Sequence, residues 1–141
     1  EKRIEVIIEQ LKQKNNPYEE KTYKLIKQYV ENDNRYKFTY KLPLAEFVTD
    51  KKFLKENPDL REFILRNSHL DFAIYTTSIN KPIVAIEVDG GDHKKEKQKI
   101  RDAKKEKILE YMEIPLLRVP SKNTWTEQEF KEKIEEKIQQ N

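Results

Sequence analysis

Three carboxylates stand within otherwise apolar segments of this 141-residue sequence. Asp71 lies in Leu-Asp-Phe-Ala-Ile, whereas Glu87 and Asp89 close the run Ile-Val-Ala-Ile-Glu-Val-Asp. Because burying an unpaired charge is very costly, these acids need partners or a function. Carboxylate oxygens that converge at one edge of a sheet form a site for a hard divalent cation such as Mg²⁺ or Mn²⁺. Alternatively, each acid pairs with one of the many lysines or marks the end of a strand.

Two predicted strands bring these acids together. Residues 70–76 and 83–89 are apolar on both faces, which is typical of a sheet covered on each side. The link between them is short enough for a hairpin, so we expect antiparallel neighbours. Pairing Asp71 with Glu87 centres the turn within this link. Asp89 leaves the same face of the sheet as Glu87 because the two residues are two positions apart.

A fourth acid, Glu19, lies near the start of a predicted helix. The helix is expected to run from Pro17 to about Asn32, with Asn16 as its cap. Glu19 shares an inward stripe with the apolar residues Tyr23, Ile26 and Val30. Its carboxylate can therefore join the other acids, or it can simply complement the positive end of the helix dipole.

A basic segment follows the acids and is predicted to form a helix over residues 95–112. Positions 94–107 hold eight Lys or Arg against three acids. Gln98 and Lys105 share a stripe with apolar residues further along the helix, so their polar groups point toward the sheet. This segment is either a solvated helix face or a surface that contacts phosphates. The candidate nucleic-acid-binding residues are Lys94, Lys97, Gln98, Arg101 and Lys105.

The two histidines flank the predicted acid cluster. His93 follows Gly90 and Gly91, the only glycines of the chain, and could bind a metal or act as a general base. The alternative is a lone surface histidine. His69 precedes Asp71 and is expected to cap or pack. A calcium loop at this glycine turn is disfavoured because the remaining ligand spacing and the closing Glu are absent.

Composition excludes several classes of protein. Apolar residues make up 35% of the chain and charged residues 39%, which suits one polar domain with a modest core. The absence of cysteine excludes a disulfide scaffold, a thiolate zinc site and a cysteine nucleophile. No P-loop, dinucleotide-binding glycine pattern or serine-hydrolase elbow occurs. Without a long apolar run or a signal-like segment, we expect a cytoplasmic protein that does not enter a membrane.

The remaining patterns predict a single α/β domain over residues 16–141, with a helix or linker over residues 1–15. Further strands are expected at 36–42 and 114–119, which gives the order α, β, β, β, α, β, α.

Local sequence patterns predict the structure of two further segments of this domain. Residues 43–67 are expected to be irregular, with short helices around 44–47 and 60–65. Thr126 and Glu129 form a capping box for the last helix.

The constellation resembles the PD-(D/E)XK nuclease superfamily, whose core order is also α-β-β-β-α-β. Residues 69–120 are similar to a domain of unknown function found at the C-terminus of some bacterial DNA helicases, a group related to the very-short-patch repair endonucleases. The matching residues are His69-Leu70-Asp71-Phe72, Pro82, Ile86-Glu87-Val88-Asp89-Gly90, His93, Gln98, Arg101-Asp102, Lys105 and Ile114-Pro115-Leu116-Leu117-Arg118.

This resemblance implies a restriction-endonuclease-like domain with a mixed sheet flanked by helices, and a Mg²⁺- or Mn²⁺-dependent hydrolysis of DNA phosphodiesters. Asp71, Glu87 and Glu19 would hold the metal. The implied catalytic residues are these three with Asp89, His93 and Lys105. The implied partners are DNA and a helicase domain of the same parent chain.

One position departs from the superfamily pattern. The lysine that usually follows the second acid is replaced by Asp89, and Lys105 or His93 would have to take its role. If neither does, the domain is a catalytically inactive module that binds DNA and targets a helicase or another partner. A third hypothesis is an ordinary interaction domain whose acids pair with lysines.

Overall fold

The computed structural model describes residues 17–79, 81–89, 95–120 and 125–139. These residues form a four-stranded mixed sheet with helices on both faces, as the predicted α/β class requires. None of the described helices is long and apolar enough to cross a lipid bilayer. The elements are α1 (Pro17–Glu31), β1 (Tyr36–Pro43), a 3-10 helix (Leu44–Glu46), α2 (Lys51–Glu56), α3 (Pro58–Leu65), β2 (His69–Thr76), β3 (Pro82–Val88), α4 (Glu96–Tyr111), β4 (Leu116–Val119) and α5 (Glu127–Gln139).

The strands follow the order β1-β2-β3-β4 across the sheet. The first three are antiparallel neighbours, which confirms the predicted hairpin between β2 and β3. The strand β4 runs parallel to β3, and α4 makes the connection that a parallel pair requires. The predicted helix or linker over residues 1–15 lies outside the described residues.

Each face of the sheet carries its own apolar core. On one face α1 and α5 cover β-strand residues, and the fully buried members of this core include Tyr23, Ile26, Phe72, Ile74, Ile86, Phe130 and Ile134. On the other face α4 and the segment between β1 and β2 contribute Leu44, Phe53, Ile64, Ile108 and Leu109. Both faces of β2 and β3 are therefore buried, and this explains the apolar residues that follow Asp71 and precede Glu87.

The segment between β1 and β2 is more ordered than the sequence predicted. Its expected short helices are present, but α2 was not predicted. Six residues give less than two turns, too few for a helical period to show. Asp50 caps α2 by accepting hydrogen bonds from the backbone N–H groups of Lys52 (3.0 Å) and Phe53 (3.1 Å). Phe53 is buried, so the segment anchors itself on the second core.

The capping box of the last helix is confirmed. The N–H of Glu129 donates to Thr126 Oγ1 at 3.1 Å, and the N–H of Thr126 donates to Glu129 Oε1 at 3.4 Å. These reciprocal bonds satisfy backbone donors that have no partner within the helix.

The sheet core should dominate stability. We expect Ile86→Ala to lower the free energy of unfolding by about 2–5 kcal/mol, because Ile86 is fully buried between β-strand neighbours and α-helical side chains. The same substitution at Ile79, which is 55% exposed, should change it by less than about 0.5 kcal/mol. Urea unfolding followed by circular dichroism measures both values. Equal losses in the two variants would contradict this account of the core.

Candidate functional site

Asp71 and Glu87 meet where the pairing between β2 and β3 ends. The last pair of the ladder is Phe72 with Ile86, so the two acids lie one step beyond it. The backbone N–H of Asp71 donates to Glu87 Oε2 at 2.8 Å. In return, the backbone N–H of Val88 donates to Asp71 Oδ2 at 2.7 Å. The acids thus replace main-chain acceptors and hold the strand ends together, which confirms their predicted proximity.

The backbone of β1 is irregular opposite this pair. The antiparallel pairing of β1 with β2 includes Tyr40 with Phe72 and Leu42 with Leu70, but it passes over Lys41 and Asp71. Lys41 has a φ of 53°, in the left-handed region that non-glycine residues rarely adopt. Such strained positions within strands are frequent beside functional sites. The irregularity therefore marks the same end of the sheet as the acids.

Lys105 of α4 provides the cation for this pair. Its Nζ lies 2.5 Å from Glu87 Oε1, and the exposed fractions of the two side chains are only 15% and 7%. Lys105 lies one turn before Ile108 and Leu109, which are buried against the sheet. Because residues three and four apart share a helix face, packing of those two residues aims Lys105 at Glu87. The predicted inward stripe of α4 is confirmed at this position.

The buried position perturbs the protonation of Glu87. Desolvation and the nearby charge of Asp71 raise its pKa to about 7, although Lys105 and the hydrogen bond from the Asp71 backbone act in the opposite direction. Glu87 therefore changes charge close to neutral pH. A carboxyl group in this range can exchange a proton with a reacting water.

Glu19 approaches the pair from the opposite face of the sheet. Its Oε2 accepts a hydrogen bond from the Tyr40 hydroxyl at 3.0 Å, which fixes the inward orientation that the spacing predicted. Burial raises the pKa of Asp71 above its ordinary value, and the charge of Glu19 adds to this effect, whereas the N–H of Val88 opposes it. Burial and Glu19 also raise the pKa of Tyr40. Three carboxyl groups thus influence one another at one end of the sheet.

The oxygen atoms of Asp71 and Glu87 suit a hard cation, but they supply only part of its ligands. Carboxylate oxygens are the ligands that Mg²⁺ prefers, and Asp71 and Glu87 supply two such groups. Among the residues that the structure describes, no three His, Cys, Asp or Glu side chains are grouped closely enough to hold a metal. Mg²⁺ usually takes one or two carboxylates and completes its shell with water and substrate phosphate. The pair fits that mode of binding better than a fully protein-made cage.

Asp89 belongs to a neighbouring ionic network. Its Oδ1 lies 3.5 Å from the guanidinium of Arg118, whose other contacts are Glu106 at 2.8 Å and Asp102 at 4.0 Å. Asp102 in turn accepts a hydrogen bond from Gln98 Nε2 at 2.9 Å. This network ties the end of β3 to β4 and α4. Gln98 and Asp89, both predicted site residues, therefore contact structural partners beside the acid pair.

The other predicted residues lie on one side of α4 or outside the described chain. Lys97 and Arg101 are exposed and line a cleft between α3 and α4, to which Lys105 also contributes. His93 and Lys94 lie outside the described residues. The sheet end thus gathers Asp71, Glu87, Lys105 and Glu19, while the basic residues line the adjoining cleft.

Two residues of the site were not assigned a role from the sequence. Tyr40 anchors Glu19, and its position in a strand of alternating aromatic residues was the available signal. Arg118 interrupts the apolar residues of the half-buried strand β4, just as the acids interrupt their strands, so the same criterion applied to cations would have selected it.

Comparison with known proteins gives a family without an assigned chemistry. A family model described as "Protein of unknown function (DUF2726)" matches residues 12–138. No curated protein and no solved structure matches the chain.

The raised pKa of Glu87 should appear in the pH dependence of stability. Because the folded state holds a proton that the unfolded chain releases near pH 4.5, this stability is present below pH 4.5 and lost as pH rises through about 7. The loss amounts to roughly 3 kcal/mol for the shift from 4.5 to about 7. Glu87→Gln removes the titrating group. Urea unfolding at pH 4.5 to 8 should therefore show a steeper decline in wild type than in the variant, and parallel curves would refute the assignment.

The ion pair between Lys105 and Glu87 makes a second prediction. Lys105→Met should destabilise the protein by about 3–5 kcal/mol at pH 8, because it leaves the buried Glu87 carboxylate without its cation. At pH 5 Glu87 is protonated and the loss should be much smaller. Thermal unfolding of wild type and Lys105→Met at both pH values tests this. The exposed Lys107→Met on the same helix is the matched control, and it should show no such pH dependence.

Proposed function

We propose a metal-dependent nuclease activity for this chain, which belongs to the DUF2726 family of proteins of unknown function. The reaction would be the hydrolysis of DNA phosphodiester bonds. The observation that carries this proposal is the buried pair of Asp71 and Glu87 with Lys105 beside it. Acids and a lysine at the end of a central hairpin also underlie the resemblance to the PD-(D/E)XK nucleases.

A divalent ion would complete the site. Asp71 and Glu87 would hold Mg²⁺ or Mn²⁺, with Glu19 close by, and the ion would supply Lewis-acid activation of a water and neutralisation of phosphate charge. The support is the hard oxygen donor set and the two-carboxylate arrangement that Mg²⁺ uses together with substrate phosphates.

The residues of the chain have complementary roles in this hydrolysis. The oxygen of a water molecule bonds to phosphorus, and the bond from phosphorus to the leaving sugar oxygen breaks. The proton that the water loses would pass to solvent, because Glu87 as a metal ligand would keep its carboxylate ionised. Lys105 would contact a phosphate oxygen and donate the proton that the leaving oxygen takes up. Lys105 then regains its proton from solvent.

Lys105 also addresses the departure from the superfamily pattern. Asp89 occupies the usual place of the lysine and contacts Arg118. Lys105 reaches the second acid from α4 instead, at 2.5 Å from Glu87 Oε1. Because α4 places Lys105 beside the second acid, this lysine supports retention of the hydrolytic activity. The similarity to helicase-associated domains extends the proposal to a DNA-processing parent protein that contains a helicase domain.

A second candidate function is a nuclease-like module that binds DNA without cutting it. The observation that favours it is the same ion pair, because Lys105 already neutralises the carboxylate that a metal would need. In this case the acids and Lys105 serve stability, while the basic residues of α4 contact phosphates.

Cleavage assays separate these functions. Supercoiled and single-stranded DNA are incubated with Mg²⁺ or Mn²⁺ and with wild type, Asp71→Asn, Glu87→Gln or Glu136→Gln. We expect both site variants to lose more than about 100-fold in rate, because each removes a carboxylate that would hold the metal. Asp71→Asn keeps an oxygen for the Val88 N–H, so its loss would not stem from strand opening. Glu136 is exposed on α5 and serves as the control.

The other outcomes are equally informative. Unchanged cleavage in both site variants would contradict the nuclease assignment to these acids. Wild-type protein that retards DNA in a gel but does not cut it with either metal would favour the inactive module. Titration calorimetry with Mn²⁺ adds an independent readout, since binding should disappear in Asp71→Asn and persist in Glu136→Gln.

A further inference from the structure

A cleft of about 580 Å³ separates α3 from α4 beside the acid pair. Its volume lies in the range of sites that hold a small organic ligand, and it is too small to enclose a duplex. Lys105 belongs both to this cleft and to the ion pair with Glu87. Lys105 is therefore the residue that the cleft and the candidate active site share.

The cleft carries a net positive charge, although Lys105 is already paired with Glu87. Five Lys or Arg line it against two acids, namely Arg66, Lys97, Arg101, Lys104 and Lys105 against Asp59 and Glu62. Glu62 pairs with Arg66, which reduces the contribution of both. Lys97 and Arg101 are exposed on α4 at the cleft. A mobile anion would be attracted to this rim.

Apolar surface lies among these charges. Ile100 is 48% exposed, and Phe63 is partly buried with the Lys104 ammonium 5.6 Å from the centre of its ring. Aromatic side chains inside a basic groove are the arrangement on which bases of single-stranded nucleic acids stack. A site for inorganic phosphate alone would have no use for this apolar surface.

We propose that the cleft between α3 and α4 binds single-stranded nucleic acid. The phosphates lie against Lys97 and Arg101, and one base packs on Phe63 and Ile100. Lys105 then receives the next phosphate at the acid pair. This inference deepens the proposed function, because it names the form of the substrate and the route by which it reaches the acids.

Binding is tested without divalent metal, so that no cleavage is needed. Fluorescence anisotropy follows a labelled 12-residue oligothymidylate, the same strand in a duplex, and inorganic polyphosphate as a competitor. We expect the single strand to bind at least about tenfold more tightly than the duplex, since only unpaired bases can stack on Phe63. Equal affinity for the duplex would overturn the proposal, as would polyphosphate that competes as well as the unlabelled single strand.

Charge reversal locates the site. Lys97→Glu/Arg101→Glu alters the cleft, whereas Lys99→Glu/Lys107→Glu makes the same change in net charge on other positions of α4 that are also exposed. We expect the cleft variant to lose more than about tenfold in affinity and its slope of log K against log salt to become shallower by about 1.4, for two lost phosphate contacts. Equal losses in both variants would show non-specific attraction and overturn the proposal.

Two further results separate this inference from the proposed function. Phe63→Leu keeps an apolar side chain of similar size, and its single-strand affinity should fall by about fivefold or more. An unchanged affinity would contradict the stacking role. Loss of cleavage in Asp71→Asn with normal strand binding would leave both proposals standing. Binding that depends on the cleft in a wild type that never cleaves would retain the cleft and reject the nuclease.

Discussion

The exchange of hydrogen bonds between Asp71 and Glu87 is the constraint on which this end of the molecule depends. Each carboxylate accepts a backbone N–H from the other strand, just after the regular pairing of β2 and β3 stops. The two carboxylates thus take the place of main-chain acceptors just beyond the last regular pair of β2 and β3. Their burial raises the pKa of both groups, and it gives Lys105 a partner in a poorly solvated place. The structure of this site and the raised pKa values of its acids arise from the same contacts.

The two cores explain why the acids cannot move away from this position. On one face α1 and α5 cover the sheet, and on the other α4 presses Ile108 and Leu109 against it. α1 brings Glu19 to the sheet end from one side, while α4 brings Lys105 from the other. The hairpin supplies the acids, and the helices supply the charges around them. The protonation of Asp71 and Glu87 therefore depends on the packing of α1 and α4, which bring Glu19 and Lys105 to the two acids.

Much of this arrangement could be predicted from the sequence, because it follows from local periodicity. The apolar runs identify β2 and β3, and the interruption of those runs identifies Asp71 and Glu87. The spacing of α1 predicts the orientation of Glu19. The position of α3, which forms one wall of the cleft, could not be predicted from local periodicity. The helix around residues 60–65 was predicted, but Arg66 and Phe63 approach α4 only through tertiary packing, which a local pattern does not reveal. The pairing of Asp89 with Arg118 likewise depends on β4 lying beside β3.

Lys105 has one ammonium group, which contacts Glu87, and its side chain also lines the cleft. An anion in the cleft that draws this group toward itself leaves the Glu87 carboxylate without its cation, and so increases the affinity of that carboxylate for another positive charge. Thermodynamic linkage makes the effect mutual, because a cation that binds Glu87 releases Lys105 to the anion by the same factor. A single shared side chain would thus couple the two proposed sites energetically, and no movement of the backbone would be needed.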